Sequence, residues 1–249
     1  MSVTVVVIGI DLAWGERSGD GFAEVRFDQG IGAPPTGTRL ATFRGDGALF
    51  AAIEEAVAQA VGCIIALDAP LICPNAEGSR PVDRECSRLF HRQHAGCHPA
   101  NSRRCVRPLR IAEGLRKRGF NIAGAIDGSH LMACEVYPHP ATIRLFGIDR
   151  IVKYKRGPIA SRRLEFARLQ AMLRGSLERE LPGFAERTEV AALLGQKWSK
   201  PVEDQTDALI CALIGYLHLR HKGRRSEVLG NDETGHIVVP TSPQREREA

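Results

Sequence analysis

Five acids stand where apolar segments begin or end, and carboxylates so placed are ligands for hard cations. Asp11 closes the run VTVVVIGID (3–11), Asp68 closes CIIALD (63–68) and Glu135 closes HLMACE (130–135). Asp204 and Asp207 open the stretch KPVEDQTDALICALIGYLHLRHKG (200–223). A buried carboxylate without a partner is costly, so an acid ending an apolar strand opens to water or meets a cation. Asp204 and Asp207 are three residues apart and share one face of a helix. That face continues through Ala208, Cys211 and Gly215, small residues that let a helix lie close to a sheet and aim its acids at the strand ends. Taken singly, these acids have plainer roles. Strand-end acids cap turns, and Glu203 and Asp204 complement the dipole of a first helical turn. Asp207, deeper and beside an apolar run, is not accounted for in that way. Together the five offer the oxygen donors that Mg²⁺ or Mn²⁺ prefers. Two such ions about 3.5–4 Å apart activate a water and stabilise the leaving oxygen of a phosphodiester.

The elements that would carry these acids are readable in order. Residues 3–11 lack a polar side and form a central strand, buried on both faces. GFAEVRFD (21–28) and TRLATFRG (38–45) alternate enough to continue it as an antiparallel meander. A helix follows over 46–62, with Asp46 as N-cap and Gly62 as stop, then a buried strand over 63–71. Residues 72–130 break this rhythm and read as an insertion with short helices near 82–92 and 108–118. A third apolar strand spans the segment from 130 and ends at Glu135. Helices are expected near 161–174, 185–195 and 200–223, the last with Pro201 in its first turn and Gly223 at its end. GHIVVP (235–240) reads as an edge strand, and 241–249 as a mobile tail.

The insertion concentrates the charge of the chain. Residues 80–118 hold eleven Arg/Lys against three acids, although the whole chain carries only +5. An Arg-rich block is a solvated face or a footprint for a phosphate backbone. The same segment contains Cys86, His91, His94, Cys97, His98 and Cys105, but no paired C-x₂-C knuckle, which argues against zinc. The favoured reading is a polar surface on which His98 and Asn101 meet phosphate beside Arg103, Arg104 and Arg107. His139, in YPHP, is either a turn histidine or a neighbour of the acids. Seven cysteines, an odd number without a secretory leader, argue against a disulfide framework. No apolar run reaches the roughly 20 residues of a membrane span, so the expected partner is nucleic acid and not a membrane, and the expected location cytoplasmic.

The strand–strand–strand–helix–strand opening, its acids and the DQTDALICAL helix resemble the ribonuclease H-like superfamily. GIDLAWG, ALDAPL, RECSRLF, GCHPAN, EVYPHPA and EDQTDALICALIGYL together resemble domain-of-unknown-function family 429, predicted nucleases of that superfamily. The resemblance runs from about residue 5 to 240 and implies a single domain. Its fold would be a mixed sheet, an antiparallel meander plus parallel strands, with flanking helices and a basic helical insertion near 72–130. It implies catalytic acids at Asp11, Asp68, Glu135 and Asp207, with Asp204 as a further metal ligand, and two Mg²⁺ or Mn²⁺ ions. The fourth acid has two candidate sources, Glu54 or Glu55 on the preceding helix, or Glu135. The first-strand motif departs from many superfamily members in having Ala13, followed by Trp14, where a glycine stands two residues after the acid.

Three functions compete on this reading: a metal-dependent nuclease, a nucleic-acid-binding or regulatory protein on the same fold without turnover, and a phosphotransferase of the actin-like group. The last lacks paired glycine-rich phosphate loops. A pure binder has no need of several clustered acids, so the nuclease leads.

Overall fold

β-branched and apolar runs without a polar side form the centre of a six-stranded sheet in the computed structural model, which describes residues 3–15 and 18–242. Most of the tail expected to be mobile, 243–249, lies outside the described residues. Strands β1 (Val5–Asp11), β2 (Asp20–Phe27) and β3 (Gly37–Phe43) form the antiparallel meander. Helix α1 (Asp46–Val57) then crosses to β4 (Gly62–Leu67), parallel to β1. Helices α2 (Pro81–Phe90) and α3 (Val106–Lys117) precede the short β5 (Asn121–Ile122) and β6 (Leu131–Glu135), and the sheet order is β3-β2-β1-β4-β6-β5. Helices α4 (Pro138–Phe146), α5 (Ile159–Glu180), α6 (Thr188–Leu194) and α7 (Lys200–Arg220) follow, and a hairpin of β7 (Ser226–Asn231) and β8 (Gly235–Pro240) ends the described chain. Order and strand directions are consistent with a ribonuclease H-like arrangement.

The two faces of the sheet bury different partners. Val6, Ile8 and Ile10 of β1, with Cys63, Ile65 and Leu67 of β4, pack against Leu49 and Ile53 of α1 and Ile111 and Leu115 of α3. The alternate set, including Val7, Ile64, Ala66, Met132, Cys134 and Val136, packs against α7 and the helices around it. Helix α7 reaches the sheet because glycines clear its path. A Cβ at Gly9 would overlap the Ala208 carbonyl and the Ala212 amide, and one at Gly21 would overlap the Asp204 carbonyl. From the helix side, Gly215 sits against Ala66 and Val7. Backbone-to-backbone approach of this kind fixes the height of Asp204 and Asp207 over the strand ends.

Three of the expected elements differ in the structure. YPHPA does not continue the third strand. Pro138 enters the first turn of α4, a position where a missing N–H costs nothing. Helix α5 runs on past Gly175, beside which there is open space, to Glu180. The edge strand expected over 235–240 forms as β8 of the two-stranded hairpin, buried along its length, and Asn231 Oδ1 closes the hairpin by accepting from the Glu233 and Thr234 amides. Asp46 begins α1 as its first residue, after an N-cap at Gly45, and its carboxylate is held by Arg107 and Arg110.

Candidate functional site

Strand parity sorts the predicted acids into two groups. Ile10 pairs with Leu67, and Leu67 with Glu135, and these three belong to one level and one face of the sheet. One residue further on, Asp11 and Asp68 point to the opposite face, beneath α7, and the residue at their level on β6 is Val136. Asp11, Asp68, Asp204 and Asp207 therefore come together, and Glu135, of the opposite strand parity, stays close enough to Asp68 to raise its pKa and line the same cleft. Instead of joining them, Glu135 takes a two-pronged pair with buried Arg80, Nη1 to Oε2 at 2.7 Å and Nη2 to Oε1 at 2.6 Å. Arg80 also binds Asp83 at 2.8 Å, so Glu135 is the centre of a structural ion network. The other candidates for the fourth acid, Glu54 and Glu55, face solvent on α1 in pairs with Arg118 and Arg39.

The four remaining acids repel one another in a poorly hydrated setting. Burial first, then Asp207, Asp68 and Asp204, hold the Asp11 carboxyl well above the usual carboxylate range against the opposing charge of Lys155. Burial, with Asp207 and Glu135, pushes Asp68 up to about 7, again against Lys155. Asp204 is raised by burial despite a 2.6 Å ion pair with Lys200, and it accepts a hydrogen bond from the Asp11 side chain. Asp207 is fully buried; its Oδ1 accepts from the Tyr154 hydroxyl at 2.6 Å and its Oδ2 meets Lys155 Nζ at 2.7 Å. Burial lowers the Lys155 pKa, but Asp207, Tyr154, Asp11 and Asp68 override it, so the ammonium stays charged.

Lys155 and Tyr154 were not singled out by the sequence, because KYK sits in an irregular basic stretch where nothing marks one lysine above the next. His139 does lie near the acids. Its Nδ1 is 3.1 Å from the Tyr137 hydroxyl, and burial followed by Lys155 lowers it to about 4, leaving a neutral ring at physiological pH. A shallow open cleft of about 60 Å³ adjoins Asp68 and is lined by Trp14, His98, Tyr137, Arg80 and Glu135.

The raised Asp68 carboxyl has a measurable consequence for stability. Its folded pKa of about 7 exceeds the unfolded value of about 3.9, so the folded chain binds this proton more tightly. The resulting stability is complete below the unfolded pKa and is lost as pH rises through 7. Asp68→Asn removes that loss. In chelator-treated buffer its melting temperature should exceed that of the wild type by about 3 °C or more at pH 8, for roughly 1 kcal/mol relieved. The gain should vanish near pH 4. A variant less stable than wild type at pH 8 would refute it.

The basic segment divides as well. Arg103 and Arg104 are exposed, Arg103 in a surface pair with Glu77. Exposed His98 reaches the cleft. Arg107 is buried and belongs to the fold: its Nη1 and Nη2 bind Asp20 at 2.7 and 2.6 Å, and its Nη1 also donates to the Ala13 carbonyl just beyond Asp11. Asn101 is buried too, donating to the Gly78 carbonyl and accepting from the Arg104 amide. Neither side chain is open to a phosphate. The Cys/His series disperses: Cys86 lies beside Cys97, Cys105 beside Cys73, and His91 and His94 face solvent.

Among the described residues no group of three or more His, Cys, Asp or Glu is arranged to hold a metal ion. In donor chemistry, Asp11 and Asp68 do fit a hard divalent cation. They are half-buried neighbouring carboxylates whose pKa values are raised by burial and by the acids around them, and Mg²⁺ commonly binds through only one or two carboxylates plus waters. Among the described residues no helix is long and apolar enough to cross a membrane. No curated protein and no solved structure matches the chain. The profile of the family described as Protein of unknown function (DUF429) matches residues 9–234, nearly the whole length, and the chain belongs to that family.

Proposed function

We propose that the protein is a divalent-metal-dependent hydrolase of phosphodiester bonds in nucleic acid. The observation that carries this reading is the convergence of Asp11, Asp68, Asp204 and Asp207 at the ends of β1 and β4 and the start of α7, where burial and the neighbouring acids raise the pKa values of Asp11 and Asp68. Asp11 and Asp68 would hold the ion, and Asp204 would support Asp11 through their shared hydrogen bond. When bound, such an ion supplies a water acidic enough to ionise near neutral pH and screens charge developing on the phosphate. Tyr154 and Lys155 orient Asp207, and the cleft beside Asp68 opens the acids to solvent and substrate. The assay is cleavage of single-stranded RNA, duplex DNA, RNA–DNA hybrid and branched DNA, with Mg²⁺, Mn²⁺ or chelator. Cleavage that is indifferent to chelator would dispose of the proposal.

A second reading, a nucleic-acid-binding or regulatory protein without turnover, is favoured by one observation: no metal-ready group of three ligands exists among the described residues. Both readings use the exposed arginines. Replacing Arg103 and Arg104 together with glutamine should flatten the dependence of log affinity on log salt by about one for each phosphate that the pair neutralises. An unchanged slope would make the pair ordinary solvated surface. Arg107→Gln is a different experiment, since it breaks a buried pair and should lower the melting temperature.

A further inference from the structure

We propose that Lys155 is a built-in cation of the acid cluster, so that the site takes one divalent ion in place of the two that its number of acids suggests. The inference rests on the metal-dependent reading above and concerns how the positive charge is divided. Both oxygens of Asp207 are already engaged, Oδ1 by the Tyr154 hydroxyl at 2.6 Å and Oδ2 by the Lys155 ammonium at 2.7 Å. Asp207 is fully buried, so an ion reaching Oδ1 would break the Tyr154 hydrogen bond, and one reaching Oδ2, which makes the ion pair but no hydrogen bond, would have to displace the Lys155 ammonium. Asp204 is tied to Lys200 at 2.6 Å. That leaves Asp11 and Asp68, side by side on parallel strands whose preceding residues pair, as the carboxylates open to a metal. Two carboxylates with waters satisfy one Mg²⁺ or Mn²⁺. A second dication about 3.5–4 Å away, the usual spacing of paired sites, would have to share the neighbourhood of an ammonium that repels it.

Lysine suits this place chemically. Its ammonium is a compact point charge with three donors, and on a half-buried stem it stands 2.7 Å from Asp207 Oδ2. Its charge would stand beside the bound ion and the phosphate without any need for a second ion to be recruited from solution. Lys155 is thus a positioning residue for Asp207 and a fixed counter-charge for the site.

Manganese binding to the purified full chain decides the matter, with electron paramagnetic resonance counting bound Mn²⁺ at pH 8 and circular dichroism confirming the fold of each variant. The wild type should bind one Mn²⁺ per chain. Lys155→Met, which keeps the stem and removes the charge, should bind two, and Lys155→Arg should return to one. Two ions in the wild type would overturn the assignment of Lys155 while leaving a metal-dependent enzyme intact. One ion in folded Lys155→Met would do the same. Wild type that binds no more Mn²⁺ than Asp11→Asn would overturn the metal-dependent reading itself, and this inference with it.

Discussion

Asp11→Asn is expected to abolish metal-dependent cleavage and to leave the fold intact or more stable. The substitution preserves size and polarity at a half-buried position, so packing beneath α7 should not change. It removes a charge that a hard cation requires, and loss of a group that stabilises developing transition-state charge costs on the order of 10²–10³ in rate, with more to lose when the group holds the metal. We therefore expect a decrease of at least about 10³-fold in turnover on whichever nucleic acid the wild type cleaves. In chelator the same change should raise the melting temperature, because Asp11 is repelled by Asp207, Asp68 and Asp204. Stability without activity separates a catalytic acid from a structural one. Equal residual cleavage by wild type and variant would assign the activity to a contaminant and leave the binding protein as the better account.

The strands that carry Asp11 and Asp68 were legible because each is an apolar run cut off by an acid, and α7 because small residues follow its acids at helical spacing. Which face each acid takes was not. A strand buried on both sides has no polar alternation to reveal its parity, so Glu135 and Val136 are indistinguishable as candidates until the pairing of β4 with β6 sets the register. Lys155 was hidden for a different reason. Lys153, Lys155 and Arg156 read as one basic cluster, and only the tertiary fold brings Lys155 to Asp207, fifty-two residues later, while Lys153 stays exposed. Arg107 shows the converse. Its partner Asp20 is 87 residues away in sequence, so it was read with the solvent-facing arginines of the same block. Charge runs in a sequence announce solvated surface, and the few members that are buried carry no local mark.

Arg80 is the clearest of these buried cations, and Arg80→Met should produce the largest loss of stability of any single change around the cleft. The guanidinium is 1% exposed and holds Glu135 by two hydrogen bonds, Asp83 by two, and the Ile72 carbonyl by one. Its removal leaves two buried carboxylates, although Asp83 still accepts from the Arg80 and Ala100 amides. Breaking a buried pair from one side costs about 3–5 kcal/mol, and for a chain of this size that corresponds to roughly 10 °C in melting temperature. The pH dependence identifies the cause. Burial already pushes Glu135 up to about 7 against the pull of Arg80, so without Arg80 its folded pKa must rise further above the unfolded value of about 4.3. An acid whose folded pKa is raised gives stability that is complete below its unfolded pKa and disappears as pH rises through the folded one. Arg80→Met should accordingly be much less stable than wild type at pH 8 and lose most of that deficit near pH 5. Adding Glu135→Gln should recover part of the loss at pH 8, because a neutral amide in that place no longer needs a cation. A deficit that is the same at both pH values, or a double variant no better than Arg80→Met, would mean that lost packing of the arginine stem dominates. Glu135→Gln alone then becomes the decisive control: an acid whose two oxygens are both taken by Arg80 should lose stability on substitution, yet keep the cleavage of the folded fraction, whereas loss of cleavage in a folded variant would return Glu135 to the catalytic acids.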